Sequence, residues 1–287
     1  MTEHAGPEAT TSAAEIEVTV PEATAAPVTP EATSGQEPTD GRTATVPRDA
    51  ANWAKKVDRL EVGPRDGLRA TNVAGRRLMG PIQGFGKMLQ KTYRMDVGAG
   101  IEPTAAIAVW REHFPEFWPA GNKFAAPLTG INPGEVALLD VAVGGGVRLS
   151  TGVMVLYADA ESFTLMTPQG HSFAGWITFS AERSDDTTMV QAQALFRAND
   201  PLYELALTMG GSRKEDQFWI ATMTALGRRL GVDSPAVTLH ASCVDTRRQW
   251  RHAGNIWHNS AIRSVLQTVA DPTGRRSRRG PEDVSAS

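Results

Sequence analysis

Apolar and polar positions are most sharply patterned between His171 and Val232. His171 to Glu182 is an apolar-rich, β-favouring run, and Asp185-Asp186 signals a turn. Thr187 to Ala198 then alternates, with Val190, Ala192, Ala194 and Phe196 on one face and Met189, Gln191, Gln193 and Leu195 on the other. After it the period changes to that of a helix: Asn199-Asp200-Pro201 offers Asp200 as N-cap and Pro201 at the first helical position. Leu202, Leu205, Ala206 and Met209 form one apolar stripe, Gly210-Gly211 interrupts it, and Trp219, Met223, Leu226 and Leu230 form a second, ending at Gly231. The pattern predicts a helix kinked at the glycines. Ser212 to Glu215 (SRKE) reads as a capping box for the restart. Two glycines in a helix need a reason: either Gly211 takes a positive φ, or the segment has to flex.

Working back along the chain, Asn52 to Leu60 reads as a short helix, and 48–85 as an irregular extension broken by glycine and proline. Gly86 to Val97 reads as a strand. Pro103 starts a helix whose Ile107, Trp110 and Phe114 share one face, with Pro115 stopping or kinking it before Phe117 and Trp118. Gly134 to Val143, Val147 to Ala158 and Ser162 to Thr167 are further strands, joined by short turns that imply an antiparallel meander. The triple glycine 144–146 lacks the lysine and hydroxyl ending of a phosphate loop. After Pro235, the spacing predicts a helix from Asp245 to about Ala270, carrying Trp250 and Trp257. That helix offers a face through which two copies of the chain could pair.

Composition narrows the function. Residues 1–47 are rich in Ala, Thr, Pro and Glu, hold no aromatic residue and set eight acids against Arg42 alone; they read as a disordered tail. Residues 271–287, with Arg275 to Arg279 as RRSRR, read as a disordered basic tail. The overall charge is −3, and the middle of the chain is too mildly basic for a nucleic-acid footprint. Cys243 is the only cysteine, so no internal disulfide or cysteine metal cluster is available, and it reads as a small buried hydrophobe. His252 and His258, six apart, face different ways on a helix, so no metal site is expected. No transmembrane run or secretory start is apparent, and the sequence reads as cytoplasmic.

The order of elements over about 86–233 resembles the helix-grip fold of the START, polyketide-cyclase and birch-pollen-allergen superfamily. The resemblance rests on WREHFPEFW, STGVMVLY, SFTLMTPQGHSFAGWITFSAE, TMVQAQALFRA and the helix from Asp200. The block GHSFAGWITF also looks like segments of bacterial members of that superfamily. The resemblance implies an α+β fold: a curved sheet of six to seven antiparallel strands around a long C-terminal helix. It also implies an apolar cavity between them, and members that bind lipids, sterols, polyketides or plant hormones, some being aromatases or cyclases. It carries no catalytic motif and no cofactor. The sequence departs from the minimal domain through its ordered additions, 48–85 and a helical extension over 234–270.

The residues offer isolated polar groups instead of a catalytic constellation. His171 has a suitable side chain for acid–base work but stands after a turn. Asp140 shares a strand face with Val136 and Leu138, where it could be buried and paired, with Arg148 as partner; alternatively Ala137, Leu139 and Val141 form the core face. Tyr157 could aim a hydroxyl inward. The expected cavity lining is Trp110, Phe114, Asp140, Tyr157, His171, Trp176, Ala192, Ala194, Phe196, Trp219 and Met223. Ala192 and Ala194 leave room where larger side chains would fill it, which favours a non-catalytic carrier or sensor of a hydrophobic small molecule. The alternatives are a cyclase-, aromatase- or hydrolase-type enzyme using His171, Asp140 or Tyr157, and a protein-interaction module.

Overall fold

The computed structural model describes residues 49–144 and 147–270; the expectations for 1–47 and 271–287 lie outside them. The alternating run at Thr187–Ala198 is the strand the sequence demands, and its neighbours follow in a meander. The strands are β1 (Met88–Asp96), β2 (Lys123–Ala125), β3 (Val136–Gly144), β4 (Val147–Ala158), β5 (Ser162–Met166), β6 (Phe173–Ser184), β7 (Thr187–Ala198) and β8 (Thr238–Asp245). They form one curved antiparallel sheet in the order β2-β3-β4-β5-β6-β7-β1-β8. The helices are α1 (Pro103–Glu112), α2 (Pro201–Ala206), α3 (Ser212–Arg229) and α4 (Ser260–Ala270).

The chain is α+β with the helix-grip arrangement: α1 and α3 cover one face of the sheet, the concave one. Register fixes which residues point there. Tyr93 pairs with Ala192, Ala192 with Phe179, and Phe179 with Phe163, so all four share a face. They meet Trp110, Phe114, Met223 and Leu226 in the main core. Phe179 is the hub, with Trp110 at 5.0 Å, Phe114 at 5.2 Å and Phe163 at 4.7 Å between ring centroids. Burying such rings removes a large apolar area from water, and the edge-to-face contacts of Trp110 and Phe114 with Phe179 add to it.

The convex face is covered over β3 and β4 by the extension before β1. Leu60, Leu68, Ala70 and Val73 pack on Val136, Leu138 and Met154. The helix expected over Asn52–Leu60 does not form; only a 3₁₀ turn at Ala50–Asn52 does, capped by Asp49. Trp53 then bridges in extended form to Tyr157, because the segment gains more by lying along the sheet than by coiling in solvent.

Two strands, β2 and β8, raise the count to eight from the six to seven expected. β8 also corrects the reading of 234–270 as wholly helical. No continuous helix starts at Asp245; β8 ends there, a 3₁₀ segment spans Trp250–His258 and α4 follows. Trp250 and Trp257 therefore do not share one face of a long helix, although both are exposed, Trp257 by 82 %. Cys243, expected inside, is exposed on β8. α4 lies on β4 beside the stretch Val147–Val153, which has no β5 partner because β5 is short.

α2 and α3 are joined by a π-helical turn, Leu207–Gly211. The kink falls at the glycines, but the positive φ belongs to Gly210 (φ 106°), not Gly211 (φ −60°). The SRKE capping box does not form either: Ser212 Oγ accepts from Lys91 instead.

Candidate functional site

Chain direction places the ends of the sheet. The C-terminal ends of β3 and β7 and the N-terminal ends of β1, β4 and β6 lie together, because neighbours are antiparallel. This end carries the break between α2 and α3; β7 runs directly into α2 there. α3 then descends along β1, reaching Met95 near Gly227 at the other end.

Burial is graded between these ends. At the far end Met95, Ala181, Val190, Met223 and Leu226 are fully packed. At the helix-break end Val141, Phe173, Ile177 and Trp219 face the same side by strand parity or helix stripe, yet all are only half-buried. Water therefore touches Val141, Phe173, Ile177 and Trp219, although Lys91, Leu139, Thr151, Ala194 and Phe196 on the same face are buried.

A polar network occupies the boundary between the two. Lys91, 3 % exposed, donates to Ser212 Oγ at 2.9 Å, Glu215 Oε2 at 2.7 Å and Asp216 Oδ1 at 2.6 Å. Tyr93 Oη donates to Asp216 Oδ1 at 2.7 Å. Lys91 is drawn inside by parity with Tyr93 and Met95, and its ammonium also stands 6.0 Å from the Phe196 ring. Burial pushes the Glu215 carboxyl up to about 7, opposed by Lys91. Burial and the two carboxylates raise the Tyr93 phenol, so it remains a donor. The second oxygens, Glu215 Oε1 and Asp216 Oδ2, take no hydrogen bond from the described residues. Thr151, paired with Leu139 and so on the concave face of β4 at the same end, is buried with its Oγ1 unpartnered.

Of the residues singled out in the sequence, Trp110, Phe114, Ala192, Ala194, Phe196, Trp219 and Met223 lie between the sheet and its helices. Trp110, Phe114 and Met223 belong to the closed part. Four lie elsewhere. Asp140 pairs with Ser150 on the convex side and takes both oxygens to Arg148 Nε, at 2.9 and 3.0 Å; the pairing expected with Arg148 forms, but outside the concave face. Tyr157 lies under Trp53 and donates to Asp159 Oδ2. Trp176 has the opposite parity to Ile177 and Phe179, and reaches the extension at Gly80. His171 is buried in the loop before β6, its Nδ1 accepting from the Phe173 amide, and burial lowers it to about 4. The acid–base set of His171, Asp140 and Tyr157 is thus dispersed, Asp140 and Tyr157 on separate strands outside the concave face and His171 in a loop. The sequence reading missed Lys91, Glu215, Asp216 and Thr151, though strand parity with Tyr93 marks Lys91 as inward.

No family model matches the chain, and no curated protein matches it. Among solved structures it is similar to a START superfamily protein from Mycobacterium smegmatis, at 22% identity and TM-score 0.34, covering 51% of this chain and 98% of that one. It is similar to the di-domain aromatase/cyclase StfQ of the steffimycin biosynthetic pathway, at 11% identity and TM-score 0.38, covering 51% of this chain and 53%, about half, of StfQ. It is also similar to Ara h 8.0201, at 13% identity and TM-score 0.34, covering 50% of this chain and 99% of that one. Among the described residues no helix is long and apolar enough to cross a membrane.

Proposed function

We propose that the chain binds a hydrophobic small molecule between the sheet and the N-terminal half of α3, as a carrier or sensor without chemistry of its own. The graded burial of the concave face carries this reading. Ile177, Phe173, Val141 and Trp219 are apolar side chains on the concave side and left partly covered, while Met95, Val190, Met223 and Leu226 towards the other end are buried. A fold that completes its core at one end and leaves apolar walls uncovered at the other gains from a guest that covers them, at about 25 cal/mol per Å² of apolar surface removed from water. The Gly210 break stands at the same end and supplies a weak point in the cover.

The test is extraction of the purified protein followed by mass spectrometry, with a melting-temperature screen of apolar compounds. A co-purifying apolar molecule, or a compound that raises the melting temperature in proportion to its concentration, is the expected result. Absence of both would remove the reading.

A further inference from the structure

The apolar stripe of α2 faces solvent. Leu202, Leu205 and Met209, spaced for one helical face, are all exposed, Met209 by 79 %. Packing falls to the other side of the helix, where Tyr203 is buried and accepts from the Ala261 amide. The segment Trp250–His258 wraps the same end of the molecule. Asn255 Nδ2 donates to the Asn199 carbonyl at 2.9 Å, Asn259 Nδ2 to Asp200 Oδ2 at 2.8 Å, and Arg248 Nε to Glu204 Oε1 at 3.0 Å. These bonds fix the segment around the start of α2, with Trp250 and Trp257 still 73 % and 82 % exposed. Two tryptophans and a helical stripe held in water at one end mark a docking surface.

Charge says what docks there. From Thr246 to Ala270 the chain holds four arginines and no acid. Arg247 and Arg251 are exposed in that stretch, and Arg213 and Lys214 are exposed just past the bend. The neighbouring acids are already committed: Glu204 to Arg248, Asp245 to Arg197 and Arg247, and Glu215 and Asp216 to Lys91. Exposed carboxylates gather at the far end instead, at Asp96, Glu161, Asp185 and Asp186. The surface of the helix-break end is therefore basic and apolar, and the far hairpins are acidic.

We propose that this end docks on the surface of an anionic lipid bilayer. Trp250, Trp257 and the α2 stripe enter the headgroup boundary, and the arginines meet lipid phosphates. Tryptophan suits that boundary, with an apolar ring and an N–H that stays at headgroup level, and arginine grips phosphate through paired N–H groups. A second copy of the chain fits less well, because a two-fold pairing through this face would set arginines against arginines. Nucleic acid would use the charge and leave the Leu202–Met209 stripe wet. The proposal stands on surface residues alone and holds whether or not the concave face takes a guest.

The experiment mixes the full chain with sucrose-loaded vesicles of phosphatidylcholine, alone or mixed with phosphatidylglycerol, and measures the protein that sediments with them. Binding to the anionic vesicles is expected to be about tenfold or more tighter than to the neutral ones, and to weaken as salt is added. Trp257→Ala removes a mostly exposed ring, so the melting temperature of the free protein should hold while anionic-vesicle binding weakens about tenfold. Arg251→Ala should weaken it about fivefold, the equivalent of about 1 kcal/mol. Lys55 is exposed next to Ala54, whose amide donates to the Leu156 carbonyl towards the far end. Lys55→Ala makes the same change in net charge there and should leave binding as it is. Equal losses from Lys55→Ala and Arg251→Ala would reduce the effect to net charge and overturn the assignment. So would absence of binding to anionic vesicles, or binding indifferent to both Trp257→Ala and Arg251→Ala. A lipid-free dimer in sedimentation velocity that Trp257→Ala converts to monomer would make this face an interface between copies, and would overturn it too.

Discussion

Lys91 on β1 and Asp216 on α3 stand 125 positions apart in the chain and 2.6 Å apart in space. The contact ties the start of α3 to the concave face of β1. Removing the ammonium would strand two carboxylates in a mostly buried position. Lys91→Met should therefore destabilise the fold by about 3–5 kcal/mol in urea titration, far more than loss of the methylene packing explains. Adding Glu215→Gln and Asp216→Asn to Lys91→Met should restore most of that loss. Equal stability of the single and triple variants would show that charge is not the cause.

Two buried groups give opposite pH slopes. Glu215 shifts from 4.5 to about 7 on folding, so between these values the folded state holds a proton the unfolded chain has lost, and stability falls as pH rises. His171 shifts from 6.5 to about 4, so the unfolded chain holds the extra proton and stability rises with pH across that range. Over roughly pH 4.5–6.5 the two contributions cancel, each worth up to about 1.4 kcal/mol per pH unit. Relative to the parent, His171→Gln should show a melting temperature that falls as pH rises, and Glu215→Gln one that rises. Thermal melts at three pH values across the window decide it; profiles parallel to the parent in both variants would contradict the assignment.

Gly210 and Gly211 resist substitution for different reasons. At Gly210, φ is 106° and an added Cβ would meet nothing within 4 Å, so the cost is backbone strain alone. Gly210→Ala should lose about 1–2 kcal/mol. At Gly211, φ is ordinary but a Cβ would stand 2.7 Å from the Ala206 carbonyl oxygen, so the π-helical turn itself must open. Gly211→Ala should cost at least as much and lower the melting temperature further. A stabilised Gly210→Ala would mean that the bend is not required.

The two ends of the concave face should separate in mutagenesis. Phe114 is fully buried against Phe124, Phe163 and Phe179. Phe114→Leu should lower stability by roughly 1–3 kcal/mol, as a partial truncation of a core ring, with ligand affinity unchanged. Ile177→Trp adds bulk where the wall is half-open. It should leave the melting temperature of the free protein within a few degrees and reduce Nile red binding about tenfold or more. The reverse pattern would place the open space elsewhere.

The meander and the kinked helix were legible because one-sided burial writes itself as alternation; β7 is the clearest case. β3 was ambiguous for a physical reason: the extension covers its convex face, so Asp140 and Leu138 are as buried as Leu139, and parity alone cannot say which side is the concave one. β8 left no signal, since almost every residue from Thr238 to Asp245 is exposed and it is held by the backbone ladder to β1 and by the Arg197–Asp245 ion pair at its end. The site itself was half-legible. The placing of Ala192, Ala194, Phe196 and Trp219 between the sheet and its helices follows from pattern. Its polar core did not, because Lys91 in a run of mixed residues reads as solvated, and Glu215 read as a helix cap until a strand 124 positions away claimed it.

The central claim is that a hydrophobic guest sits on the concave face at the helix-break end. The most direct measurement is light-activated labelling with a diazirine-bearing long-chain alcohol, followed by peptide mapping. The account predicts saturable labels within 147–151, 173–177 and 212–219, suppressed by excess unlabelled alcohol. Labels confined to the exposed 250–266 surface, or labels that do not saturate, would contradict it.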